Sequence, residues 1–87
     1  MNVFEKTIVI LSKLSNTGEI SSNHKLRDDL ALDSLQMVTL LVMLEDTFDI
    51  LLNESDMNPF DLVNVQDVVN LVKKYVEGEN HEEKKEG

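Results

Sequence analysis

Three stretches of the chain place apolar side chains at the spacing of an α-helix, and this spacing limits the fold more than any other feature. The first stretch carries one such face, made of Phe4, Thr7, Ile8, Leu11 and Leu14. The last stretch carries a stripe of valines, made of Val65, Val68, Val69, Val72 and Val76, with Leu71 and Tyr75 beside it. Valine favours β-strands by propensity, but a half-buried strand would need a period of two. The pattern therefore predicts an all-α fold.

Turn-forming and capping residues mark where the helices begin and end. We expect these elements in order: a helix over 3–14, a long connection over 19–33, a helix from Ser34 to about Phe48, a short helix near 56–61 interrupted by Pro59, and a final helix capped by Asn64. Three main helices and one short helix predict a small four-helix bundle over residues 1–77, with a long loop between helices 1 and 2. Residues 78–87 are polar and charged, and we expect a disordered tail there.

Features that the sequence lacks exclude several classes of protein. The chain has no cysteine, so a disulfide scaffold, a thiolate zinc site and a thiol nucleophile are excluded. The acids Asp28, Asp29 and Asp33 lack the spacing of a calcium loop, and we expect no metal site. No secretory signal pattern opens the sequence, and the longest apolar run, Leu40–Leu44, is far too short to span a membrane. We therefore expect a soluble, cytoplasmic domain.

Acidic residues dominate the charge of the chain, which has a formal net charge of −9 at pH 7. Between Asp28 and Asp61, both included, there are nine acidic residues and no Lys or Arg. Nucleic acid and anionic membranes are poor partners for such a surface, because binding either of them requires a surface rich in Lys and Arg. Two interpretations stay open: the acids keep the protein soluble, or they attract a basic protein partner to the middle of the chain.

The second helix has two apolar faces. One sector holds the core candidates, which are Met37, Leu40, Leu41, Leu44 and Phe48. Leu35, Val38 and Val42 form a second stripe, which Glu45 and Asp49 continue. This stripe either packs beneath the 19–33 connection or is an exposed apolar strip, rimmed by acids, that binds a partner. We favour the exposed strip, because so small a bundle has little surface with which to cover both faces.

Ser34 stands at the head of this second helix, next to Asp33. A serine in this place is commonly a helix cap, yet the partial positive charge of a helix N-terminus would also suit a phosphate esterified to its hydroxyl. A serine hydrolase is a poor alternative, since the histidines are His24 and His81 and no Gly-x-Ser-x-Gly segment exists.

Two segments in the middle of the chain resemble acyl carrier proteins. Asp29-Leu30-Ala31-Leu32-Asp33-Ser34-Leu35 is similar to the attachment motif of this family, and Glu45-Asp46-Thr47-Phe48-Asp49-Ile50 is similar to the end of its second helix. The likeness continues through the Pro59 segment and Val65-Gln66-Asp67-Val68-Val69, and it covers about residues 3–77. Motif, helix ending, length and four-helix pattern together make the resemblance specific.

The resemblance implies a non-catalytic carrier with 4′-phosphopantetheine attached covalently to Ser34, delivered from coenzyme A by a phosphopantetheinyl transferase. The thiol of this arm would hold an acyl or aminoacyl group as a thioester. Asp33 would support recognition of the attachment site. Loading and chain-modifying enzymes with basic surfaces would dock in turn on Leu35, Val38, Val42, Glu45 and Asp46, and a monomer suits such a shuttle.

Three positions depart from the pattern of fatty-acid carriers. Those carriers usually have glycine where this chain has Ala31, and acidic residues where it has Gln36 and Thr39. These departures favour polyketide or mixed polyketide–peptide assembly over fatty acid synthesis. Two alternatives stay open: a D-alanyl carrier for wall polymers, and a helical adaptor without a prosthetic group, in which Ser34 is only a cap.

Overall fold

The structure is a computed structural model that describes the backbone of residues 2–86 and the side chains of residues 2–77. Within that range the chain forms three α-helices and two single-turn 3-10 helices: α1 Val3–Ser15, α2 Ser34–Phe48, the 3-10 helices Glu54–Asp56 and Pro59–Asp61, and α3 Val65–Glu86. The described residues contain no β-strand. The predicted all-α fold is confirmed.

Side chains and backbone at its two ends define the length of α1. The Asn2 side chain accepts a hydrogen bond from the Glu5 N–H at 2.8 Å, and the Glu5 carboxylate accepts one from the Asn2 N–H in return. At the other end, Asn16 adopts the left-handed conformation with φ 59° and donates its N–H to the Ser12 carbonyl. Asparagine tolerates this conformation better than most residues, so α1 ends at the predicted turn.

The face of α1 that enters the core differs in part from the predicted one. Thr7, Ile10 and Leu11 are buried, whereas Phe4 is 37% exposed. The other members of the predicted stripe are half-buried, namely Ile8 and Leu14. Including Phe4 in the stripe was wrong, because the buried positions follow i, i+3 and i+4 from Thr7 and leave Phe4 one turn outside the contact.

One apolar core lies between the α-helices and the connection from α1 to α2. The predicted core face of α2 is buried at Met37, Leu40, Leu41 and Leu44, with Phe48 half-buried. The first four valines of the predicted α3 stripe are each at most 1% exposed: Val65, Val68, Val69 and Val72. The residues whose spacing predicted α2 and α3 therefore also supply most of the core.

The connection between α1 and α2 is fastened to the start of α3. The Leu26 N–H donates to the Val63 carbonyl at 2.9 Å, and the Val65 N–H donates to the His24 carbonyl at 3.0 Å. Apolar side chains of the connection are buried in the core, namely Leu26, Leu30 and Leu32. Hydrogen bonds and burial together hold the segment that leads into α2.

The short helix predicted near 56–61 consists of two separate 3-10 turns. Pro59 begins the second turn, because its ring disfavours helical backbone before it and it has no N–H to continue a helix. Asn58 caps that turn by accepting a backbone N–H within it at 3.0 Å. The first turn is fastened to α3, because the Tyr75 hydroxyl donates to the Asp56 carboxylate and accepts from the Asn53 N–H at 2.8 Å.

The third helix begins at the predicted cap. The Asn64 side chain accepts a hydrogen bond from the Asp67 N–H at 2.9 Å, and the Asp67 carboxylate accepts one from the Asn64 N–H at 3.2 Å. The backbone of α3 continues through 78–86, where we expected a disordered tail. Side chains beyond Glu77 lie outside the described residues, and the division of the chain at residue 77 stays a prediction.

Candidate functional site

A reciprocal pair of hydrogen bonds holds the start of α2. Asp33 is the N-cap: its Oδ1 accepts from the Gln36 N–H at 2.8 Å, and the Gln36 Oε1 accepts from the Asp33 N–H at 3.0 Å. Such a pair satisfies two donors, one of them an N–H that the start of a helix leaves without a partner. Ser34 is the first residue inside the helix, and Asp33 makes the cap bond in its place.

The side-chain amide of Gln36 also joins α2 to α1. Its Nε2 donates to the Leu14 carbonyl at 3.0 Å. The last carbonyls of a helix have no partner within that helix, so this bond satisfies one of them and fixes the two helix ends against each other. In the sequence, Gln36 stood out only as a departure from a family pattern. The Asp-x-x-Gln spacing of a capping box was the signal that could have revealed its role.

The hydroxyl of Ser34 is open to approach. Ser34 is exposed, and no hydrogen bond within the described part of the chain involves its side chain. Its place in the first turn of α2 lies where free N–H groups and the helix dipole favour a negatively charged group. The oxygen is therefore available for a covalent bond to a phosphate, and it is not used to hold the helix together.

The turn before Asp33 contains a residue in an unfavourable conformation. Ala31 has φ 59°, a left-handed conformation that costs a residue with a Cβ about 1 kcal/mol. The Leu30 and Leu32 N–H groups donate to the Lys25 and Leu26 carbonyls, each at 3.0 Å, and these bonds hold the turn. Glycine adopts this conformation without steric cost, which explains why a glycine would suit the position where this chain has alanine.

An exposed apolar strip follows Ser34 along α2. Leu35, Val38 and Val42 are 74%, 48% and 54% exposed. The connection does not cover them, so the exposure of this strip is confirmed, while its role in binding a partner stays a prediction. Leu51 is 83% exposed and shares a groove with Val42 at the far end of the helix. The sequence did not reveal Leu51, because it lies in an apolar run between two buried residues.

The two acidic residues predicted for docking differ in their surroundings. Asp46 is exposed and lines the same groove as Val42. Glu45 is half-buried, and its Oε2 accepts a hydrogen bond from the Leu52 N–H at 2.9 Å. Glu45 therefore helps to hold the turn after α2, and substituting it removes this hydrogen bond as well as a surface charge.

Two acids of the connection, Asp29 and Asp33, have local structural partners. Asp29 Oδ2 accepts from the Lys25 N–H at 2.7 Å, while Asp33 caps α2. Among the described residues, no three metal-ligating side chains come together. Within the same part of the chain, no helix has both the length and the apolar character needed to cross a bilayer.

Comparison with known proteins bears on the same residues. A family model for the phosphopantetheine attachment site matches residues 9–72, which include the start of α2. An acyl carrier protein from Borreliella burgdorferi is 36% identical over 74 residues, covering 83% of this chain and 90% of the relative. The chain belongs to the acyl carrier protein family.

Other acyl carrier proteins are similar to the chain over comparable lengths. One from Campylobacter concisus is 36% identical over 76 residues, covering 85% of this chain and 96% of the relative. A solved structure described as an acyl carrier protein from Mycobacterium tuberculosis superimposes with a TM-score of 0.73 at 32% identity, covering 82% of this chain and 95% of that one.

Membership of the acyl carrier protein family defines the kind of molecule that the chain is. It is a carrier and not an enzyme, and its prosthetic group is phosphopantetheine. The residues at the start of α2 fit such a group, because they offer an exposed serine hydroxyl without an internal hydrogen bond at a helix N-terminus.

Proposed function

We propose that this acyl carrier protein holds acyl or aminoacyl groups as thioesters on a 4′-phosphopantetheine arm joined to Ser34, and passes them between biosynthetic enzymes. One observation carries the proposal: the Ser34 hydroxyl is exposed in the first turn of α2, while Asp33 makes the cap bond. When attached, the arm supplies the reactive thiol, which a chain without cysteine does not provide itself.

Asp33 and Gln36 hold the turn of α2 that carries Ser34. Asp33 fixes the first turn of α2 through the cap bond, and its exposed carboxylate gives a transferase a charged group to recognise beside the attachment point. Gln36 closes the capping pair and anchors the turn to α1 through the Leu14 carbonyl. Both act through Ser34 and neither takes part in a reaction.

The enzymes served by the carrier dock on α2 one at a time. Leu35, Val38 and Val42 supply apolar contact, and Asp46 supplies charge at the far end of the helix. Glu45 adds charge while it holds the following turn. A small apolar strip with a charged rim gives interfaces of modest affinity, which suits exchange between several enzymes.

The net charge of −9 supports the choice of partners. They are a phosphopantetheinyl transferase, delivering the arm from coenzyme A, and loading and chain-modifying enzymes with basic docking surfaces. The same charge makes nucleic acid a poor partner. We assign the carrier to the cytoplasm and to the monomeric state, since a shuttle must leave each enzyme for the next.

For the pathway, we propose polyketide or mixed polyketide–peptide assembly. Gln36 and Thr39 support this choice, because both are neutral where fatty-acid carriers have acids, and both side chains make hydrogen bonds inside the protein. Incubating the armed protein in parallel with acyl-, aminoacyl- and D-alanyl-loading enzymes tests it by intact mass. A gain of D-alanine alone would replace the proposal with a carrier for wall polymers.

The first experiment measures intact mass after incubation with coenzyme A and a broad-specificity phosphopantetheinyl transferase. The wild type and a Ser55→Ala control, which removes another exposed serine, should each gain a single arm, while Ser34→Ala should gain none. Circular dichroism establishes that all three proteins are folded. A folded wild type that gains no arm would favour a helical adaptor without a prosthetic group.

A further inference from the structure

A second groove lies beside Ser34, between the connection and the second 3-10 turn. It is open and holds about 650 Å³, and its walls include Lys25, Arg27, Ala31, Phe60, Leu62 and Val63. Asp33 also lines it, so the groove begins next to the attachment residue.

The charge of this groove differs from that of the rest of the surface. In the sequence between Lys13 and Lys73, Lys25 and Arg27 are the only Lys or Arg residues. Asp28 and Asp33 line the groove with them, yet no salt bridge within the described part of the chain involves either base. The lining of the groove therefore has two basic and two acidic side chains and no net charge, whereas the whole chain has a net charge of −9.

Arg27 and Phe60 form a contact inside this groove. The guanidinium carbon lies 5.2 Å from the ring centroid, and Phe60 remains 56% exposed. This cation–π contact restrains the guanidinium, and no salt bridge within the described part of the chain engages it, so its N–H donors can bind a planar acceptor. Arginine and aromatic residues are enriched at protein interfaces, and a carboxylate is the acceptor that matches the guanidinium in two parallel hydrogen bonds.

We propose that Arg27 and Phe60 form a second docking contact for the enzymes that act on Ser34, which place a carboxylate against Arg27 and an apolar side chain against Phe60. This inference rests on the proposed function. Asp46 lies twelve residues along α2 from Ser34, which is about 18 Å of helix. The docking surface therefore offers the Arg27 guanidinium in the groove beside Ser34 and the Asp46 carboxylate at the far end of α2, and these opposite charges set the orientation of the bound enzyme.

The test measures whether reversing the charge at Arg27, by Arg27→Glu, raises or lowers KM. The assay is arm transfer from coenzyme A, with the full chain as substrate. If enzymes recognised acidity alone, adding a carboxylate at Arg27 would strengthen their binding and lower KM. If an enzyme carboxylate faces Arg27, the same change brings two negative charges together, and KM should rise about tenfold with kcat changed less than about twofold. Arg27→Gln, which only removes the charge, should raise KM about threefold.

Lys73→Glu is the control for Arg27→Glu, because it makes the same change in net charge at an exposed position on α3. We expect its KM to equal that of the wild type or to fall. Equal effects of Arg27→Glu and Lys73→Glu on KM would overturn the second contact. Failure of the wild type to accept an arm would contradict the proposed function instead, so the two failures are distinguishable.

Discussion

Asp33 and Ser34 are neighbours at the start of α2, and the structure gives them separate roles. Asp33 makes the cap bond to the Gln36 N–H, whereas the Ser34 side chain makes no hydrogen bond within the described residues. Losing a cap costs about 0.5–2 kcal/mol. Asp33→Ala should lower the free energy of unfolding by about 1 kcal/mol, and Ser34→Ala should lower it by less than about 0.5 kcal/mol.

Urea unfolding followed by circular dichroism checks both values on the protein without its arm. The two variants control for each other, because each removes one polar side chain from the same helix start. A loss for Ser34→Ala as large as that for Asp33→Ala would mean that Ser34 contributes to the cap after all.

The backbone conformation of Ala31 predicts how substitutions at this position change the stability of the fold. Its φ of 59° is a left-handed conformation, which costs alanine about 1 kcal/mol and costs glycine nothing. Glycine also gives the unfolded chain more freedom, which offsets part of the gain. We expect Ala31→Gly to raise the free energy of unfolding by about 0.5 kcal/mol. Ala31→Val, measured by urea titration, should lower the free energy of unfolding. A valine that raised it would show that residue 31 does not adopt the left-handed conformation.

At the scale of elements, the first 3-10 turn is held to α3 by a cluster of three polar side chains. Hydrogen bonds from the Tyr75 hydroxyl and then from the Lys74 ammonium lower the pKa of Asp56 below its ordinary value of 3.8. Burial, followed by the hydrogen bond to Asp56, raises the pKa of Tyr75 above 10.0. The cluster is therefore most stable with Asp56 ionised and Tyr75 neutral.

The lowered pKa of Asp56 predicts how the stability of this cluster depends on pH. A carboxyl with a lowered folded-state pKa stabilises the fold above its unfolded-state pKa, and this contribution is lost as pH falls through the folded-state pKa. The difference in free energy of unfolding between wild type and Asp56→Asn should therefore be largest near neutral pH and shrink below about pH 4. Urea titrations at stepped pH measure it, with Tyr75→Phe as the companion variant that removes the principal donor. A difference that stays constant with pH would contradict the assignment.

How far the elements were predictable depends on how local their causes are. Helical periodicity sufficed to predict α2, and periodicity with the Asn64 cap sufficed to predict α3. Each of these signals comes from residues that lie close together in the sequence. The connection was not predictable in detail, since the Leu26 N–H meets the Val63 carbonyl far along the chain. The same limit applies to the candidate site: Ser34 and the exposed strip were visible in the sequence, whereas the bond from Gln36 to Leu14 and the Arg27–Phe60 contact depend on the folded structure.

At the scale of the whole molecule, acidity at the far end of α2 should control how enzymes bind. Asp46 is exposed, whereas Glu45 also accepts the Leu52 N–H, so Asp46 gives the cleaner variant. We expect Asp46→Lys to raise KM for arm transfer about fivefold at low salt. The effect should shrink as salt is added, because charges are screened over about 8 Å at physiological ionic strength.

Glu19→Lys is the matched control for Asp46→Lys, since it makes the same charge change at an exposed position in the connection. Its KM should change less than about twofold. If the two variants behaved alike, the enzyme would be responding to net charge and not to a defined acidic end of α2.

The most direct test of the central claim locates the arm on the chain. Trypsin cleavage after Arg27 and Lys73 releases one peptide that contains α2 and four aliphatic hydroxyl residues, namely Ser34, Thr39, Thr47 and Ser55. Fragmenting this peptide by mass spectrometry after arm transfer shows which oxygen carries the group. The account predicts modification at Ser34 alone, and an arm found on any of the other three, or outside the peptide, would contradict it.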